Sequence, residues 1–116
     1  MLGEVKRGEI YLITLGEKVG SEQSGVRPLV ILQNDIGNTY STTTIGAVLS
    51  SSKHGDLLPT QVRICPRGKL KKESVIMTEQ LSTISKDRLI KLVGSLTEEE
   101  MYDTERAVKI SLGLEG

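Results

Sequence analysis

The chain has 116 residues, a formal net charge of +0 and 37% hydrophobic residues. That length suits one domain with a single core, and no apolar run approaches the ~20 residues needed to span a bilayer. One cysteine, Cys65, and one histidine, His54, exclude an intrachain disulfide and leave no Cys/His cluster for a zinc site. With no basic segment leading into an apolar one, the expected location is cytoplasmic.

Glu9 to Leu15, rich in Ile, Tyr and Thr, reads as a first strand. The polar loop Gly16–Val26 follows and contains Gly20-Ser21-Glu22-Gln23-Ser24-Gly25. It runs into Arg27-Pro28 and the apolar run Leu29-Val30-Ile31-Leu32, a second strand expected to be buried on both faces. Pro28 disfavours a helical Arg27, so the guanidinium is expected at the strand's mouth, beside Glu22 and Gln23. This placement suits an anionic ligand, above all phosphate. The plainer reading is a Gly/Ser turn with a solvated arginine.

Gln33–Thr43 reads as a turn with at most one helical turn, and Thr44–Ser50 as a third strand. Ser50-Ser51-Ser52-Lys53-His54-Gly55-Asp56 is a loop, with His54 expected to be solvated. Gln61–Ile64 and Ser74–Met77 are expected to be strands flanking a basic loop. Cys65, between Ile64 and Pro66, reads as a small buried hydrophobe. Lys86–Ile90 is expected to be a short helix and Lys91–Val93 a strand. Thr97-Glu98-Glu99-Glu100 is a capping box opening a terminal helix. On that helix Met101, Val108 and Leu112 share one face, and Ala107, Ile110 and Leu114 form an adjoining stripe. So wide an apolar face is either buried within one subunit or shared with a partner chain. These elements predict a mainly β fold with a terminal helix, an α+β chain built as a small antiparallel barrel of SH3-like kind.

Charge is unevenly distributed. Beyond residue 96 there are six acids and two bases, which leaves thirteen bases and nine acids before it. Arg63, Arg67, Lys69, Lys71 and Lys72 fall in the acid-free stretch Gln61–Lys72. This is either a nucleic-acid patch or a solvated loop. Without Phe or Trp, only Tyr11, Tyr40 and Tyr102 could stack on a base, which argues against a multi-base platform.

Taken in order, Lys6–Tyr11, the Gly20–Asp35 block, Gly37-Asn38 with Thr43–Ile45, Leu58-Pro59-Thr60, Ser74–Ile76 with Glu79-Gln80, Thr83-Ile84 and Ile110–Leu114 resemble the MazF/PemK-type toxins of bacterial toxin–antitoxin modules. The likeness covers nearly the whole chain and is strongest to members from Gram-positive bacteria. It implies a MazF/PemK-like fold and a homodimeric endoribonuclease that cuts single-stranded RNA at a short sequence. No metal or other cofactor is implied, and the expected ends are a 2′,3′-cyclic phosphate and a 5′-hydroxyl. It also implies a cognate antitoxin whose extended tail occupies the RNA groove.

Carried over by position, the resemblance makes Arg27 the essential arginine. The family's essential threonine falls on Ser50, a departure that keeps the hydroxyl but loses the β-methyl that stiffens χ1. Ser51 and Ser52 follow directly, and alternation sends Ser50 and Ser52 to one face and Ser51 to the other. Metal-free cleavage by the RNA 2′-hydroxyl needs a base, an acid and donors for charge on phosphorus. A two-histidine scheme is excluded by the single His54. Arg27 stays protonated and is a poor base. Glu22, the carboxylate of the motif loop, is the candidate base, or else a solvated acid. RNA contacts are expected from Ser21, Gln23, Arg63, Lys69, Lys71, Lys72 and Gln80; for Gln80 the alternative is a turn or capping role. A second function stays open, a non-catalytic toxin of the same fold binding a protein such as a DNA topoisomerase. Such a module needs neither Arg27 nor a nearby hydroxyl.

Overall fold

The structure, a computed structural model, describes residues 4–14, 25–51 and 55–114. Its elements are β1 (Glu9–Thr14), β2 (Val26–Ile31), α1 (Asp35–Tyr40), β3 (Thr43–Ser51), β4 (Gln61–Ile64), β5 (Ser74–Ser85), β6 (Leu89–Ser95) and α2 (Glu98–Ser111). A 3-10 turn, Lys86–Arg88, joins β5 to β6, so the short helix expected over Lys86–Ile90 yields its last residues to a longer strand.

All six strands pair antiparallel in one sheet of order β4-β5-β3-β2-β1-β6. β2 is central, and its apolar run serves both faces. Val30 packs with Ile10, Leu49, Ile64, Ile76 and Val93 in one core. Leu29 and Ile31 pack with Val5, Tyr11, Ile13 and Leu89 in the other. Each such side chain contributes roughly 1.5–3 kcal/mol by leaving water.

The expected barrel does not form. Both edge strands feed the first core, Ile64 from β4 and Val93 from β6, so the sheet curls upon itself. Closure requires a ladder between β4 and β6, and among the described residues none is present. β4 is four residues long and is followed within two residues by Pro66, which has no N–H to donate. The edges are tied instead through the turn after β4. There the Lys69 backbone N–H donates to the Val93 carbonyl at 2.8 Å. Gly68, at φ +51°, allows this approach, since a Cβ would lie 2.6 Å from that carbonyl oxygen.

β5 is three times the length expected from Ser74–Met77. It pairs with β3 in two stretches, Ser74–Ile76 with Ser51–Leu49 and Leu81–Ser85 with Ala47–Thr43. Between them Met77–Gln80 bulge opposite Val48. The bulge is fastened: Thr78 donates from its backbone N–H and its hydroxyl to the Thr60 carbonyl, and Ser111 Oγ donates to the Thr78 carbonyl at 2.9 Å.

α2 begins as expected. Thr97 Oγ1 accepts from the Glu100 N–H at 3.1 Å, and Glu100 Oε1 accepts from the Thr97 N–H at 2.9 Å. Its buried contacts are made by small residues, Thr104 and Ala107, which let it lie close against β4 and β5. Ile110, Leu112 and Leu114 stay exposed, so one subunit does not bury the whole apolar surface. Cys65, expected inside, is exposed because β4 ends at Ile64. Among the described residues, no helix is long and apolar enough to cross a membrane.

Candidate active site

The site begins where β2 and β3 part. Their ladder runs Ile31–Gly46, Val30–Ala47 and Leu29–Val48, then stops. Pro28 comes next on β2 and has no N–H to continue it. Gly46 sets this register, because a Cβ there would fall 2.4 Å from the Val30 carbonyl oxygen. Extending the same register places Arg27 opposite Ser50. Into the gap the Arg27 guanidinium donates from Nη2 to the Leu49 carbonyl at 3.1 Å. This bond holds the side chain half-buried beside β3, and among the described residues the other guanidinium N–H groups are left for a ligand.

The parted strands open into a cavity of about 450 Å³. Leu12, Pro28, Leu70 and Val93 supply its apolar lining; Arg27, Ser50, Ser51, Lys69, Lys71 and Lys72 supply the polar one. Among the described residues the lining holds four cationic side chains and no carboxylate, so it attracts anions, and the guanidinium fork suits phosphate oxygens. Ser50 is half-buried and its hydroxyl donates to the Met77 sulfur at 3.6 Å. Among the described residues, no group of three or more His, Cys, Asp or Glu could hold a metal ion.

The basic run of the sequence is divided in space. Lys69, Lys71 and Lys72 reach the cleft, whereas Arg63 lines a separate cavity between β4 and α2 with Asp103 and Arg106. Arg67 turns the other way and is clamped by Glu100, with Nη2 to Oε2 at 2.7 Å, a second bond from Nη1 to Oε1, and a third to the Ser95 carbonyl. The Arg67 hydrogen bond holds the Glu100 carboxyl below its ordinary range and raises the guanidinium in turn. Gln80 lies in the exposed bulge of β5 and does not line the cleft. Ser21, Glu22, Gln23, Ser52 and His54 lie outside the described residues.

No aromatic side chain lines the cleft among the described residues. Tyr11 is buried in the second core; burial, then the charge and hydrogen bond of Glu9, push its hydroxyl up to about 12. Tyr40 and Tyr102 are exposed on α1 and α2. Met77 is the neighbour that sequence reasoning missed. Its signal is the pairing of Ser50 with Val75, which puts Met77 diagonally next on the same face, and that pairing is known only once β5 is placed.

Residues 6–112 match the family described as PemK-like, MazF-like toxin of type II toxin-antitoxin system. The chain is 45% identical over 111 residues to the endoribonuclease MazF of Staphylococcus epidermidis, covering 95% of this chain and 92% of that protein. A mycobacterial endoribonuclease solved in complex with its cognate antitoxin shares the fold at a TM-score of 0.79 and 24% identity, covering 97% of this chain and 98% of that one. So does a MazE-MazF crystal structure from Deinococcus radiodurans, at a TM-score of 0.79, 15% identity and coverage of 97% and 98%. The chain therefore belongs to the PemK-like, MazF-like toxin family of type II toxin-antitoxin systems.

Proposed function

We propose that this protein is a sequence-specific endoribonuclease toxin that cuts single-stranded RNA without a metal ion. The observation that carries the reading is the meeting of Arg27, Ser50 and three lysines in one cationic cleft. The 45%-identical relative named as an endoribonuclease supports it.

In this mechanism the RNA 2′-hydroxyl attacks the adjacent phosphorus, and the bond to the 5′-oxygen breaks. A 2′,3′-cyclic phosphate results and, once the departing oxygen has taken a proton from water, a 5′-hydroxyl. Arg27 stabilises the extra negative charge of the phosphorane through the N–H groups that Leu49 leaves unused, and assists the departing oxygen. Ser50 exchanges its weak sulfur acceptor for a phosphate oxygen. Lys69, Lys71 and Lys72 hold the flanking phosphates. Glu22, on the loop entering β2, is assigned the base. Attack by the 2′-hydroxyl makes DNA inert.

The acting unit is a homodimer, in which two clefts contribute to one groove. The uncovered Ile110, Leu112 and Leu114 of α2 favour assembly. An acidic, extended antitoxin segment occupies the groove in place of RNA. The mycobacterial relative solved with its antitoxin supports such a partner.

The test is incubation of a long RNA with the purified protein in EDTA, followed by end-group analysis. Fragments with cyclic phosphate and 5′-hydroxyl ends are expected at a few recurrent sites. Intact RNA, or 5′-phosphate ends, overturns the mechanism.

A further inference from the structure

Ser50 stands where a β-branched hydroxyl would hold itself. A threonine at that place is stiff about χ1, whereas serine samples three staggered wells and its hydroxyl rotates besides. Here one neighbour restores the order. The Ser50 hydroxyl donates to the Met77 sulfur at 3.6 Å, within the range for a sulfur acceptor. Both side chains are half-buried. Met77 is itself fixed, since it pairs with Gln61 of β4 and is followed by Thr78, which is tied twice to the Thr60 carbonyl.

We propose that Met77 is a positioning residue, holding the Ser50 hydroxyl at the cleft wall in one rotamer until a phosphate oxygen takes it over. This inference rests on the ribonuclease reading. The chemistry of a thioether suits the task. It is a weak acceptor, so it orients the hydroxyl before substrate binds and releases it once a phosphate oxygen arrives. It carries no charge, so it neither repels the RNA nor traps the proton, as a carboxylate there would. Serine with methionine thus reproduces by contact what threonine has by covalent structure.

The experiment compares single-turnover cleavage of one RNA by the wild type, Met77→Leu, Ser50→Thr and the double variant. Leucine keeps the volume and removes the acceptor. Confinement to one χ1 well and one hydroxyl setting is worth about threefold each, so Met77→Leu should slow cleavage roughly 3–10-fold with unchanged RNA affinity. In the Ser50→Thr background the same change should matter less than about twofold, because threonine no longer needs the contact. Equal slowing in both backgrounds overturns the proposal, for that is what a purely structural role gives. Proton couplings of Ser50 in the folded protein provide a second readout, free of activity. A single χ1 rotamer in the wild type that averages in Met77→Leu supports the proposal; averaging already in the wild type overturns it. If the couplings behave as expected but the wild type leaves RNA whole, the ribonuclease reading fails, and with it any catalytic role for the contact.

Discussion

The two ends of β2 are built to opposite rules. Beyond its C-terminal end, the α1 region is saturated with internal hydrogen bonds. Buried Asn38 accepts from Thr44 Oγ1 at 2.8 Å and from Gln33 Nε2 at 3.1 Å. It also donates to the Gln33 carbonyl at 2.9 Å and to Asp35 Oδ1 at 3.1 Å, and its own carbonyl accepts from Lys86 Nζ. At the other end, among the described residues, the Arg27 side chain makes one hydrogen bond, to a backbone carbonyl, and the Ser50 side chain one, to a sulfur. Both ends hold polar side chains beside the same sheet. A network with every group satisfied fixes structure, whereas donors left with spare capacity in a cationic cleft are ready for an outside acceptor. On the proposed reading, the difference in saturation, more than residue type, separates the end that meets a ligand from the end that only holds structure.

Paired substitutions at the two ends test that contrast most severely. Arg27→Ala should lower the cleavage rate by ~10²–10³, the usual loss for a transition-state donor. Its stability cost should stay near about 1 kcal/mol, one hydrogen bond's worth. Asn38→Ala should do the reverse: four side-chain bonds vanish and partners are stranded, which costs about 2–4 kcal/mol. Activity per folded molecule should be unchanged. Single-turnover kinetics and denaturant melts on both variants decide it, and a folding defect from Arg27→Ala with normal activity would erase the distinction.

Ser50→Ala should lose activity by an order similar to Arg27→Ala, ~10²-fold, while Ser50→Thr should match or exceed the wild type. The same cleavage assay reads both.

The Arg67–Glu100 clamp belongs to the saturated kind although it lies near the cleft. The Arg67 hydrogen bond lowers the Glu100 pKa below its ordinary 4.5. Its contribution is therefore complete above that value and is lost as the pH falls through the lowered one. Glu100→Gln should cost about 1–3 kcal/mol near neutrality and flatten the acid limb of the stability curve. A melt series from pH 7 downward measures this.

The smallest contrast lies within the basic run. Replacing Lys69, Lys71 and Lys72 by Gln should reduce the slope of log affinity for RNA against log salt by about 2 to 3. Arg63→Gln, on the α2 side, should leave the slope almost as it was. Equal effects would mean that RNA also crosses the β4–α2 face.

Much of this arrangement is legible in the sequence because it is local. The capping box at Thr97, the doubly buried run after Pro28 and the place of Arg27 each follow from a few neighbouring residues. What escapes reading depends on pairing across the chain. The tetrad Met77–Gln80, polar after its first residue, looks like the end of a strand, yet β5 continues through a bulge whose ties come from Thr60 and Ser111. Lys69 and Arg67 are neighbours in sequence, yet Gly68 reverses the chain between them and sends one to the cleft and the other to α2. A pattern of short strands suggests a barrel; the shortness of β4 and the Pro66 that follows it explain why the sheet stays open.

The strand order also governs when the protein becomes capable during its synthesis. β1 (Glu9–Thr14) is among the first segments made, but one of its two neighbours is β6 (Leu89–Ser95). Val93 of β6 both lines the cleft and anchors the turn that carries Lys69, and Glu100 then clamps Arg67. A growing chain emerging from the ribosome N-terminus first therefore has Arg27 and Ser50 long before it has a finished cleft. Pairing across so great a sequence distance is slow to form. Until β6 and the start of α2 have emerged, the cleft around Arg27 and Ser50 lacks part of its wall.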